Sequence, residues 1–188
     1  MNFVTSFSTP VSIADNHTAL TTSFAGLTAQ TSYSVRVRAF NGRASDLVTA
    51  GTAFTAPLTG LFNTLPTAPG TLSGGALGAN SIIWSWTAVP TATSYTLESA
   101  TGTNLAVTAA VSHTVTNLGP NASYGARLRA NNATGSGDFG PTVTTFTDPQ
   151  APTGTAVQQV TTATARVTWS GGANPSGTSY QLQIATLT

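Results

Sequence analysis

The 188 residues suffice for one or two ordinary domains, and a net charge of +1 offers no electrostatic footprint for nucleic acid or an anionic membrane. Only 6% of residues are charged and all six cations are arginine, whereas a well-solvated small domain carries roughly 25 to 35% charge on its surface. There is no cysteine, hence no disulfide, and no apolar run long enough to cross a bilayer as a helix.

In chain order, the first readable element is Tyr33–Ala39. Apolar residues occupy Tyr33, Val35, Val37 and Ala39, and Ser34, Arg36 and Arg38 lie between them, so this alternation predicts a strand whose arginines face away from a core. Ser81–Thr87 follows, strand-like with a tryptophan near its end. After a proline-bearing turn comes the strand pattern Tyr95-Thr96-Leu97. Leu118 to Tyr124 leads into a second alternating run, Tyr124 to Ala130, again with outward arginines at Arg127 and Arg129. Ala165–Ser170 and Tyr180-Gln181-Leu182 repeat the earlier pair. No stretch carries a helical stripe, and short strands punctuated by Gly, Pro and Asn predict an all-β sandwich.

The elements recur at domain length. Leu27, Tyr33 and Ala39 return 91 residues later as Leu118, Tyr124 and Ala130, and Pro66, Pro69 and Trp86 return 83 residues later as Pro149, Pro152 and Trp169. A period of this size exceeds a solenoid repeat and matches a small independent domain. The difference of 8 between the two spacings is assigned to a longer linker over Pro57–Asn63.

The opening prolines, the tryptophan on the second strand, the tyrosine on the third and the run Leu118-Gly119-Pro120-Asn121-Ala122-Ser123-Tyr124 resemble the fibronectin type III module, in a bacterial-type extracellular array. The resemblance implies tandem immunoglobulin-like sandwiches, one complete and two partial. Residues 1–56 would be the C-terminal part of one domain, 57–63 a linker, 64–147 a complete domain and 148–188 the N-terminal part of another. It further implies that Leu118 and Tyr124, and likewise Leu27 and Tyr33, form a corner in which the phenol bonds to nearby backbone. Trp86, Tyr95, Trp169 and Tyr180 are expected in the cores.

The residues offer no catalytic constellation. Asp15, Asp46, Glu98, Asp138 and Asp148 stand singly in sequence, His17 and His113 occupy different places in their repeats, and no phosphate loop or nucleophile elbow occurs. No cofactor is implied. Three sequons, at Asn16, Asn121 and Asn132, permit N-glycosylation where the machinery exists. The expected contact residues are Leu58, Leu61 and Phe62 in the linker, and Trp84, expected on the outward face as an aromatic platform for a surface glycan.

These readings add up to a non-catalytic extracellular or cell-surface structural protein that spaces, tethers or assembles. Its expected partners are neighbouring repeats or a second copy joined head to tail into a filament, with neither nucleic acid nor membrane insertion. The alternatives are an adhesion or carbohydrate-binding module, or a spacer attached to a secreted polysaccharide-degrading enzyme.

Overall fold

The computed structural model describes residues 21–33, 35 and 62–186. Among them there is no helix, and all strand pairs are antiparallel.

Residues 66–148 build a two-layer sandwich. One layer is β3 (Leu72–Ala76), β4 (Ile82–Trp86) and β7 (Ser112–Val115), with β4 in the centre. The other runs β10 (Val143–Phe146), β8 (Ser123–Asn132), β5 (Ser94–Ser99) and β6 (Asn104–Thr108), with the short β9 (Gly135–Ser136) folded back on β8. The alternation of β8 sends Ala126, Leu128 and Ala130 inward and Arg127, Arg129 and Asn131 outward. The sequence Ile-Ile-Trp-Ser-Trp of β4 likewise buries Ile82, Trp84 and Trp86. Tyr95 and Leu97 of β5 complete the core. Trp86 and Tyr95 meet edge to face at 5.5 Å, a geometry that adds to the area they bury.

The chain after β9 stays beside β8. Gly137 and Gly140 donate their N–H groups to Ala130 and Leu128 at 2.9 and 2.8 Å. The carbonyls of the buried Pro66 and Pro69 lie so close to Gly137 and Gly140 that a Cβ on either glycine would fall on the carbonyl oxygen. The opening prolines are thus packed into the sandwich, where they cost no ladder hydrogen bond.

Two segments flank this domain. On the N-terminal side, β1 (Ser32–Tyr33) pairs with β2 (Phe62–Asn63). On the C-terminal side, β11 (Thr153–Gln158) and β12 (Arg166–Ser170) form a hairpin. The strand expected at Tyr180-Gln181-Leu182 is not formed, because no neighbouring strand among the described residues offers it a ladder.

Of the expected linker over 57–63, only Phe62 and Asn63 lie within the described residues. Phe62 and Asn63 face Tyr33 and Ser32, as Thr145 and Phe146 face Tyr124 and Ser123 in the sandwich. They form the strand β2, and Pro66 follows almost at once. Tyr33 and Phe62 are 29 apart in sequence, Tyr124 and Thr145 only 21. The difference of eight thus recurs as the difference between these two tyrosine-to-strand separations.

Candidate functional site

The most closely specified arrangement in the chain is a hydrogen-bonded corner that occurs twice. In the sandwich, Gly119 N–H donates to the Tyr124 phenol oxygen at 2.8 Å. The Thr147 hydroxyl donates to Gly119 O at 2.7 Å and accepts from Ala122 N–H at 3.1 Å. Asn121, at φ 47°, donates its N–H to Asp148 O at 3.0 Å.

Each of these bonds has a counterpart in the N-terminal segment. Thr28 N–H donates to the Tyr33 phenol at 2.8 Å, the Thr64 hydroxyl donates to Thr28 O at 2.9 Å, and it accepts from Thr31 N–H at 3.1 Å. Gln30, at φ 57°, donates its N–H to Leu65 O at 3.4 Å. The bond from Thr28 holds the Tyr33 phenol below its ordinary pKa, since an N–H aimed at the oxygen favours the phenolate. Thr28 and Ala29 in place of Gly119 and Pro120 leave this bonding unchanged.

The corners reach outward as well. Asn132, 9% exposed, ends β8 and donates its side-chain N–H to Thr64 O at 2.8 Å, and its Oδ1 accepts from Thr134 and Gly135 N–H. The Thr134 hydroxyl donates to Asn63 O at 2.5 Å. The Gln30 side-chain amide donates to the Thr67 hydroxyl. At the opposite end of the sandwich the Asn121 side-chain amide donates to the Thr178 hydroxyl at 2.9 Å. The amides of Asn121 and Asn132, two of the three sequon residues, are thereby engaged in the structure; Asn16 lies outside the described residues.

The outer face of β8 is more ordered than a solvated strand. Arg127 directs Nε and Nη2 to Glu98 Oε2 at 3.2 and 2.9 Å, and Arg127 and Arg129 lie 4.3 and 4.8 Å from the centroid of Phe139. With the Arg127 side chain 37% exposed, the ion pair contributes little to stability, and the stacking covers the sheet.

Trp86 and Tyr95 lie in the sandwich core, and the half-buried Leu118 and Tyr124 pack against it. Leu27 and Tyr33 are half-buried at the N-terminal corner. The expectations for Trp84, Trp169 and Tyr180 are corrected. Trp84 is 2% exposed, because residues two apart on a strand share a face and it points inward with Trp86, leaving Ile83 and Ser85 on the alternate face. It is no glycan platform. Trp169 and Tyr180 are not core residues here: they meet edge to face at 5.9 Å but remain 39% and 36% exposed, since no second layer among the described residues covers them. Leu58 and Leu61 lie outside the described residues, and Phe62 belongs to β2.

Thr64, Thr147 and Phe139 were missed by sequence reasoning, and Asn132 entered it only as a sequon, without its bonds to Thr64 and the β8–β9 turn. A signal for the two threonines was present: Thr64-Leu65-Pro66 and Thr147-Asp148-Pro149 share the 83-residue spacing. Among the described residues, no group of three His, Cys, Asp or Glu side chains could hold a metal ion, and no helix is long and apolar enough to cross a membrane.

No curated protein matches the chain. Solved structures similar to it include one described as FN3tt, 28% identical, covering 45% of this chain and 97% of that chain with a TM-score of 0.42. Another is the sixth fibronectin type III domain from human fibronectin type III domain containing protein 3, 20% identical, covering 50% of this chain and 97% of that chain with a TM-score of 0.43. The family model described as the fibronectin type III domain matches residues 67–146, the stretch that carries both sheets, the buried tryptophans and the Tyr124 corner. The central sandwich of this chain is a fibronectin type III domain.

Proposed function

We propose that the chain is a stretch of a non-catalytic extracellular array in which the flanking segments belong to further domains of the same kind and the array acts as a spacer. The observation that carries this reading is the placement of the two joints at opposite ends of β8. Asn132, its last residue, bonds to Thr64 on the N-terminal side, and Asn121, two residues before its start, bonds to Thr178 on the C-terminal side. A ten-residue strand separates them by roughly 30 Å. Neighbours held at opposite ends give a linear string. The scarcity of charge and the abundance of hydroxyl and amide side chains suit a surface that packs closely with its surroundings outside the cell.

Small-angle scattering on the whole chain tests this. An end-to-end arrangement gives a maximum dimension well beyond that of one sandwich, and a globular scattering profile would sink the reading. Such a spacer serves equally as surface structure or as the stalk of a secreted polysaccharide-degrading enzyme.

Head-to-tail self-association is a second reading, favoured by the exposed apolar side chains Trp169, Tyr180, Leu182 and Ile184 on the C-terminal segment. On this reading a second copy covers them. Static light scattering over a concentration series would show growing particles, with Trp169 becoming protected from acrylamide quenching. Monodisperse particles at every concentration would defeat it.

A further inference from the structure

We infer that the left-handed amide residue of each tyrosine corner, Gln30 in one and Asn121 in the other, is a clamp that fixes the orientation of the domain that follows. The inference rests on the array reading and adds to it the interaction that keeps the string from swivelling.

The two residues are equivalent by three independent marks. Each lies three positions before the corner tyrosine, each has positive φ, and each donates its backbone N–H to the carbonyl of the residue that precedes a proline, Leu65 or Asp148. From that common position each sends its side-chain amide across the boundary to a threonine hydroxyl of the following segment: Gln30 to Thr67 and Asn121 to Thr178.

The accepting threonines are not equivalent to each other. Gln150, not a threonine, stands 83 residues after Thr67. The recurring element is therefore the donor and its aim.

Backbone preference alone does not account for the pair. Asparagine is enriched several-fold in the left-handed region, so Asn121 could be explained by its φ. Glutamine has no such preference, because its longer side chain does not hydrogen-bond its own backbone as asparagine does. A glycine would suit the backbone better at residue 30. The extra methylene of Gln30 gives it reach, and the reach ends on Thr67. The same boundary is also held by Asn132 and Thr134, on Thr64 and Asn63, so the clamp completes a three-point attachment there.

A clamp predicts that glycine at either position spares the domain and loosens the joint. The chain lacks cysteine, so spin labels can be placed on introduced pairs. The exposed positions Ser23, Thr116 and Thr162 report on the three segments. Double electron-electron resonance on Ser23→Cys/Thr116→Cys and on Thr116→Cys/Thr162→Cys should give one narrow distance peak for each pair. Gln30→Gly should raise the fraction of molecules outside the first peak about fivefold, the factor supplied by one ordinary hydrogen bond, and leave the second peak unchanged. Asn121→Gly should do the converse. In both variants the thermal midpoint should stay the same or rise, which separates a loosened joint from a damaged domain.

Broad peaks in the parent protein, or narrow peaks that neither glycine disturbs, overturn the clamp. The array reading fails by a different sign, a Ser23–Thr162 distance shorter than Ser23–Thr116, whatever the widths.

Discussion

The ring of Trp84 fills the space that a side chain on Gly74 would need. The two residues face each other across β3 and β4, and a Cβ on Gly74 would lie 2.6 Å from Trp84 Cζ3 and 2.8 Å from Thr145 Cγ2. The indole reaches over the adjacent strand towards the edge strand of the other sheet, and so helps to tie the two layers together. Gly74→Ala is therefore expected to cost about 1–3 kcal/mol through overpacking. Trp84→Ala is expected to cost about 3–5 kcal/mol through the cavity it leaves. Urea denaturation followed by circular dichroism measures both, and a Gly74→Ala protein as stable as the parent would show that the sheets can part without penalty.

The threonine that closes each corner acts through one hydroxyl that both donates and accepts. At Thr147, 3% exposed, removal of that hydroxyl leaves Gly119 O without its donor and Ala122 N–H without its side-chain acceptor. Thr147→Ala should destabilise the central domain by about 1–3 kcal/mol, and Thr147→Val, which keeps the shape, should recover little. Tyr124→Phe should cost about 1 kcal/mol for the lost acceptor of Gly119 N–H. Equal stability of Thr147→Val and the parent would remove the hydroxyl from the account.

Thr91 is strained in two ways. It holds φ 62°, uncommon for a β-branched residue, at the third position of a turn closed by Ala92 N–H on Val89 O at 3.2 Å, and its hydroxyl is buried without a partner. Pro90 before it suits such a turn, but the position after the proline favours glycine. Thr91→Gly should raise stability by about 1 kcal/mol, seen as an increased thermal midpoint. A lowered midpoint would mean that the hydroxyl has a role in the loop.

Tyr33 should ionise below pH 10, the value for a free phenol. Its pKa is depressed in the folded corner, so its contribution to stability is fully present above the unfolded value and is lost as pH falls through the folded one. The N-terminal corner should therefore become more stable as pH rises through the window just below 10. The absorbance difference at 295 nm between the parent and Tyr33→Phe isolates this titration, and a midpoint at or above 10 would contradict it.

Most of the sandwich was legible because it rests on local alternation. The runs Tyr124–Ala130 and Ser81–Thr87 announce strands, and β8 and β4 lie there. Trp84 shows how little separates a correct strand from a correct face, since one miscounted step moves a core tryptophan into solvent. The corner threonines are harder to see. Thr64 and Thr147 make their bonds to residues 25 or more positions earlier, and only the doubled Thr-x-Pro spacing points to them. Phe139 is not legible as a partner, because nothing in its sequence neighbourhood shows that two arginines on another strand converge on its ring. The contact role expected for Leu58 and Leu61 stays outside the described residues.

Thr64 serves two neighbours within a single residue: its hydroxyl closes the corner behind it, and its carbonyl receives Asn132 from the domain ahead. Two residues later, Pro66 is already buried in that next domain. A block that begins at Pro66 and stops just before Pro149 carries one whole corner, and the joint to the preceding segment is made across its first boundary. A cut a few codons before Pro66 would part Thr64 from the corner it closes, and one a few codons after it would leave a core proline of the next sandwich behind.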